Sequence, residues 1–276
     1  MSNKTVSEES TRFDGSIPEM YDQHLGELLF EPYAADIADR VAKRRPRKVL
    51  EIAAGTGIAS RRLLEALPRG TALTVTDLNT PMLEYAQHKI GADGRGAEWR
   101  QADAQDLPFP DESFDAVVCQ FGVMFFPDKH KGLREFNRVL EKGGALIFNV
   151  WDSLERNPVG MITHSTIGKF FRTDAPDFYQ IPFGLGDVSE VRRLVEEAGF
   201  KEIVIETLSL TGSSESPESA ALGLVRGNPV INTIRERGTA NIDEIVRAVA
   251  RAVEERFGAR PLRVPLRAHV VSAVKP

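Results

Sequence analysis

The chain carries a single cysteine, Cys119, in 276 residues. That excludes an intrachain disulfide framework and a zinc centre built on several thiolates. Cys119 closes the apolar run Ala116-Val117-Val118-Cys119, so a small buried hydrophobe is expected there rather than a nucleophile. No apolar stretch is long enough to span a bilayer, and the N-terminus shows no secretion-signal core. The expected location is therefore cytoplasmic. Charge of one sign is scarce: 35 Lys and Arg stand against 40 Asp and Glu, a net charge of −5. Nothing in that balance pulls the chain toward nucleic acid or an anionic membrane, and no nucleic-acid partner is expected. Histidines and carboxylates nowhere take metal-ligand spacing, so no metal site is expected. What is present is a globular composition, 42% hydrophobic and 27% charged, at a length that suits one α/β domain with insertions.

Residues 1–12 are polar and without hydrophobic period, the pattern of a disordered tail. Residues 13–45 read as helical. Ser16 and Glu19 form a capping-box pattern around Pro18, opening a helix through about His24. A second helix is predicted from about Glu31 to Lys43, where Tyr33, Ile37 and Val41 recur every four residues. From residue 46, short apolar runs alternate with helical periods, the signature of a parallel sheet covered by helices. Strands are predicted at Lys48 to Ile52, Ala72 to Thr76, Gly96 to Gln101, Phe114 to Gln120 and Ala145 to Trp151. The fourth, apolar in its centre, is expected in the middle of the sheet. Helices are predicted at Ile58 to Leu67, from the Thr80 cap to Ile90, and from Lys129 to Leu140, the last stopped by Gly143-Gly144.

Beyond Trp151 the beat loosens. Helices are predicted at Pro158 to Phe171 and Asp187 to Ala198, and a strand at Lys201 to Leu210. The polar patch Gly212 to Ser219 and a helical stretch precede the last strand, Leu262 to Val274. Its even positions, from Leu262 through Val270 to Val274, form one apolar face. Helical insertions are thus expected at about 153–187 and 211–260.

The strongest chemical signal is Val49-Leu50-Glu51-Ile52-Ala53-Ala54-Gly55-Thr56-Gly57, a strand running into a small-residue turn and then a helix. Glycine lets backbone approach a ligand where a Cβ would clash, and the helix offers free N–H groups. A tight structural turn reads the same way on its own. Asp77, about twenty residues later at the end of the second strand, places a carboxylate where it can take both ribose hydroxyls of an adenosine. A dinucleotide fingerprint needs a third glycine, yet counting from Gly55 that position holds Ser60, and counting from Ala53 the first and third positions both fail. Glu51 before the turn would repel a pyrophosphate and suits an ammonium. The ligand reads as a nucleoside with a cationic end.

With "VLEIAAGTG", "TVTDLNTPMLEYA", "QADAQDLPFPDESFDAVVCQFGVMFFPD" and "RVLEKGGALIFNVWD" in order, the chain from Val49 to Trp151 resembles the class I S-adenosylmethionine-dependent methyltransferases. Within them it is similar to the small-molecule group that includes the ubiquinone and menaquinone biosynthesis enzymes. The resemblance implies a Rossmann-like doubly wound α/β sheet of seven strands with an antiparallel last strand, under an N-terminal helical lid. Ala53 departs from the usual glycine at the first small position. The resemblance further implies S-adenosylmethionine as cofactor. Glu51, Ala53, Gly55 and Gly57 would surround its methionine part, Asp77 would hold the ribose, and Leu78 and Met82 would sit beside the adenine. Asp103 and Ala104 would cover the adenine edge, and Gln120 and Phe121 would lie near the sulfonium. Asp103 could equally cap a turn, and Met82 could be plain core.

On the acceptor side the stretch Tyr21 to Ala34 resembles the family's lid, so Tyr21 and Tyr33 would face the site or else pack their helices onto the sheet. Met161, Ile167, Phe170, Phe171 and Phe183 suggest apolar pocket walls and an organic acceptor. Of the five histidines, His24 and His164 stand nearest the expected pocket and are the candidate bases, should the acceptor have to lose a proton. His88 is expected exposed. The expected activity is methyl transfer to a small organic acceptor at O, N or C. Two alternatives stand beside it: a cofactor-binding protein without transfer, acting as cyclase or regulator, and an RNA or protein methyltransferase.

Overall fold

The structure is a computed structural model that describes residues 12–13, 15–91, 96–238 and 241–276. The expected tail, 1–12, lies outside the described residues except for Arg12, whose carbonyl accepts from Asn232 Nδ2 at 3.4 Å. Helix α1 (Ile17–Leu25) passes through a π-helical turn, Gly26–Phe30, into α2 (Glu31–Lys43). Ser16 precedes α1 without a capping bond. Glu19, expected to reach back to it, instead accepts from Gln23 one turn on, at 3.0 Å.

Seven strands then form one sheet: β1 (Lys48–Glu51), β2 (Ala72–Asp77), β3 (Glu98–Gln101), β4 (Phe114–Gln120), β5 (Leu140–Trp151), β6 (Lys201–Ser214) and β7 (Leu262–Val274). Their order is β3-β2-β1-β4-β5-β7-β6, with β4 in the middle. The first five run parallel, and β7 is antiparallel to both neighbours. This is the doubly wound arrangement expected, and it puts the C-terminal ends of β1, β2 and β4 on one edge, where open α/β sheets bind ligands. Helices α3 (Ile58–Ala66), α4 (Thr80–Ile90) and α5 (Lys129–Val139) connect the parallel strands. The insertions supply α6 (Pro158–Gly168), α7 (Val188–Glu197), α8 (Pro217–Arg226), α9 (Val230–Arg237) and α10 (Ile242–Phe257). No helix among the described residues is long and apolar enough to cross a membrane.

Several boundaries differ from the sequence reading, each for a tertiary reason. Helix α4 is capped by Asn79, whose backbone is extended, and Thr80 is its first residue. The glycines Gly143-Gly144 do not stop α5. The chain turns extended at Leu140, which is fully buried and pairs with Phe114, so β5 begins there. The glycines lie within the strand, in a bulge between the Phe114 and Ala116 pairings. A Cβ on Gly144 would stand 2.7 Å from the Glu141 carbonyl. Strand β6 continues to Ser214 because β7 pairs with it as far as Leu262. Gly212 belongs to that strand, where the Leu28 carbonyl passes so close that no side chain would fit. The patch from Ser216 onward starts α8, with Ser216 Oγ accepting from Ser219 N.

Candidate functional site

The turn after β1 is built before any ligand arrives. Ile52 N donates to Val118 O, and Ala54 N to Thr76 O, fixing the turn between β2 and β4. Ala53 and Gly55 both take left-handed backbone, with φ +55° and +58°. Asp77, 6% exposed, locks the next layer. One carboxylate oxygen accepts from Gly55 N at 2.8 Å and the other from Asn79 N at 2.7 Å. Burial raises its pKa, and those backbone donors work against the rise.

Above this turn lies a cavity of about 320 Å³, within the range of ligand pockets. Of the residues singled out in the sequence, Tyr21, Ala53, Gly55, Asp77, Leu78, Met82, Asp103, Ala104, Gln120 and Phe121 all line it. Asp103 does two jobs at once, since it also accepts from Gln105 N at 2.8 Å to cap its own turn. Leu78 is 51% exposed at the rim.

Two of the expected residues stand elsewhere. Gly57 does not reach the wall. With φ +80° it starts α3, and a Cβ there would meet Ile90 Cδ1 at 2.9 Å and Ala86 Cβ at 3.0 Å, so its job is close packing of α3 on α4. Glu51 lies behind the turn, 1% exposed, and neither carboxylate oxygen has a hydrogen-bond partner among the described residues. Burial pushes its pKa up to about 8; nearby Ser60 works against the rise, and the charge of Asp77 adds to it. Thr56 Oγ1 and Ser60 Oγ are likewise buried without partners among the described residues.

The sequence reading missed the aromatic share of the wall. Phe13, Phe30 and Phe125 also line the cavity, and Tyr21 stacks on Phe30 at 4.7 Å. These rings, with Phe121, border a second chamber of about 50 Å³ that continues to Phe178 and Phe183. Among the expected pocket residues only Phe183 reaches it. Helix α6 contributes Val159 and Gly160 from its first turn, which leaves Met161 and Ile167 off the wall. Tyr33 lines neither space; it is buried, donates to Leu208 O at 3.3 Å and packs edge-on against Phe121 and Trp151. Three of the chamber's polar side chains are committed to backbone: Tyr179 Oη donates to Leu224 O, Asn228 Nδ2 to the same carbonyl, and Asn157 to Asp152 and Arg267.

Among the described residues no histidine lines either space. His24 Nδ1 lies 2.9 Å from Ser219 Oγ on α8, and His164 packs beside Tyr179. His269 is buried between Thr207 and Gly186, His130 pairs with Glu197, and His88 is exposed. Cys119 is buried, with its thiol pushed up to about 12 by that burial.

A sheet of this order, with a nucleoside-sized cavity over the β1 turn and an acid closing β2, is the methyl-donor architecture. Residues 50–148 match the family described as methyltransferase domain. The chain is 40% identical over 121 residues to the demethylmenaquinone methyltransferase of Thermus thermophilus, covering 44% of this chain and 53% of that enzyme. It is 30% identical over 173 residues to the ubiquinone/menaquinone biosynthesis C-methyltransferase UbiE of Cronobacter sakazakii, covering 58% and 68%. The fold also matches Haemonchus contortus phosphoethanolamine N-methyltransferase 2, solved with S-adenosyl-L-methionine. That likeness has a TM-score of 0.59 at 18% identity, over 94% of this chain and 56% of that one.

The chain belongs to the class I S-adenosylmethionine-dependent methyltransferases. Within that class it resembles UbiE, although the matched stretch spans only about half the length of the Thermus relative. S-adenosylmethionine is the cofactor, and the residues present fit it. The wall offers a buried carboxylate on Asp77 at the end of β2 and a Thr56 hydroxyl without a partner among the described residues, in a cavity of about 320 Å³.

Proposed function

We propose that the chain transfers a methyl group from S-adenosylmethionine to a small, largely apolar organic acceptor held in the aromatic chamber. The observation that carries this reading is the shared lining: Phe13, Tyr21, Phe30, Phe121 and Phe125 border both spaces, so the two adjoin and ligands in them would meet within one aromatic collar. When bound, the cofactor supplies a methyl group on a sulfonium, a reactive donor that needs alignment more than activation. Asp77 takes the ribose hydroxyls with its remaining lone pairs. Leu78 and Met82 flank the adenine, while Asp103 and Ala104 close its edge. Thr56 and the turn at Ala53 to Gly55 hold the methionine end, and Glu51 stands behind them, protonated until the positive charge of the cofactor favours its carboxylate. Gln120 and Phe121 face the sulfur.

Helix α1 acts as the lid, with Tyr21 placed over the boundary and the surrounding rings excluding water from the path of transfer. The absence of histidine from both linings, among the described residues, favours acceptors whose nucleophile is ready-made, such as a free amine or an easily ionised enol or phenol. The test is incubation with methyl-labelled cofactor and a panel of apolar and charged acceptors. Label in apolar acceptors supports the proposal. Tight cofactor binding with no transfer to any acceptor would favour a non-transferring cyclase or regulator.

A further inference from the structure

Phe121 leaves β4 in left-handed backbone, with φ +52°. An aromatic residue holds that conformation only where its surroundings over-determine it. Its peptide N–H donates to Asn149 Oδ1 at 2.9 Å and, more weakly, to the Asn149 carbonyl at 3.3 Å. The ring that follows from this backbone lies flat on Trp151, with centroids 3.9 Å apart and planes 8° from parallel. That ring lines both spaces.

Asn149 itself borders neither space. It sits in the body of β5, fully buried, in register with Gln120 on one side and Val270 on the other. Its Nδ2 has no hydrogen-bond partner among the described residues. A buried amide left half-unsatisfied costs stability that a leucine of similar size would not. What the amide returns is the one bond it makes, to Phe121. We infer that Asn149 is a positioning residue: its Oδ1 holds the Phe121 backbone left-handed, and thereby sets the ring that borders both the cofactor and the acceptor space. The acceptor side of this statement rests on the function proposed above; the link between Asn149 and Phe121 does not.

The test uses the full chain with Trp99→Phe, which leaves Trp151 as the sole tryptophan. Near-ultraviolet circular dichroism then reports the stacking of Phe121 on Trp151. Asn149→Leu should abolish most of that signal, while Asn149→Asp, which keeps an acceptor oxygen at the same place, should restore it. S-adenosylhomocysteine affinity should fall with Asn149→Leu and recover with Asn149→Asp, because the Phe121 ring lines the cofactor cavity. The melting midpoint should respond to Asn149→Leu less favourably, by about 2 °C or more, with Phe121 in place than with Phe121→Gly already present, since glycine takes positive φ freely. An unchanged Trp151 signal in Asn149→Leu, or an equal change in midpoint in both backgrounds, overturns the inference. If Asn149→Leu does not fold, Asn149→Asp compared with Asn149→Ser carries the same comparison. Failure of the parent protein to bind S-adenosylhomocysteine would overturn the functional reading and leave the dichroism result standing by itself.

Discussion

The methyl group of Ala53 occupies the space that a side chain at position 122 would need: a Cβ on Gly122 would lie 2.6 Å from Ala53 Cβ and 2.7 Å from Cys119 Sγ. The turn after β1 and the turn after β4 are therefore fitted to each other, methyl against glycine. Gly122→Ala should destabilise the protein by about 1–3 kcal/mol through overpacking. Ala53→Gly removes one colliding atom and relieves a left-handed alanine, so it should recover part of that loss in the double variant. Urea unfolding of the four proteins measures the coupling; strictly additive losses would show that the turns do not press on each other.

Asp77→Ala should weaken S-adenosylhomocysteine binding a hundredfold or more, since two charge-assisted bonds worth about 1.5–3 kcal/mol each are removed. Asp77→Asn, which keeps one acceptor, should fall between. Calorimetry well below the melting temperature separates this from the loss of the Gly55 and Asn79 contacts. Equal affinity in all three would refute the ribose assignment.

Glu51 makes stability fall as pH rises. Its folded pKa, about 8, stands above the ordinary 4.5, so between those values the folded chain holds a proton that the unfolded chain has released. Stability from this group is complete below pH 4.5 and is lost progressively up to pH 8. Glu51→Gln should flatten that limb by a few kcal/mol, since each tenfold difference in proton affinity between folded and unfolded chain is worth ~1.4 kcal/mol. Denaturation at pH 5 and at pH 8 checks it; identical pH dependence in the two proteins would contradict a protonated Glu51.

Asp22, on α1, accepts from Lys89 Nζ at 2.6 and 2.7 Å and from Tyr85 Oη at 3.3 Å, both on α4. Lys89→Met should speed cofactor release about fivefold if the pair contributes about 1 kcal/mol to the closed position. Stopped-flow displacement gives the rate, and an unchanged rate would mean that α1 does not gate the cavity.

His24→Ala and His164→Ala should each leave methyl transfer within about twofold of the parent, because a general base acts only within hydrogen-bond reach of its proton. A loss of a hundredfold in either variant, once an acceptor is in hand, would restore that histidine as the base.

How much of this was legible in the sequence depends on the range of the forces involved. Strand β7 was readable because alternation from Leu262 to Val274 is a local record of one face packed and one less so. The start of β5 was not, because Leu140 joins the sheet through Phe114, a partner 26 positions away. Gly57 shows the same limit within the site. Its motif is identical whether the missing Cβ makes way for a ligand or for a helix, and only the approach of Ile90 and Ala86 decides. Asp77 and Asp103 could be read as cavity residues because they stand at or just past the C-terminal ends of strands that open on the ligand edge, and both line the cavity. The wall of Phe13, Phe30 and Phe125 could not, since three separate segments converge to make it.

The π-helical turn Gly26–Phe30 gives α1 a phase as well as a place. Such a turn holds one residue more than α-helical winding would. Deleting one residue there would let α1 and α2 fuse as ordinary helix and rotate everything before it by about 100°. Tyr21 would then swing away from Phe30 and off the cavity without any change in its own identity. The face that α1 presents to the site is thus encoded by a count of residues, and this segment should tolerate substitution far better than a change in length.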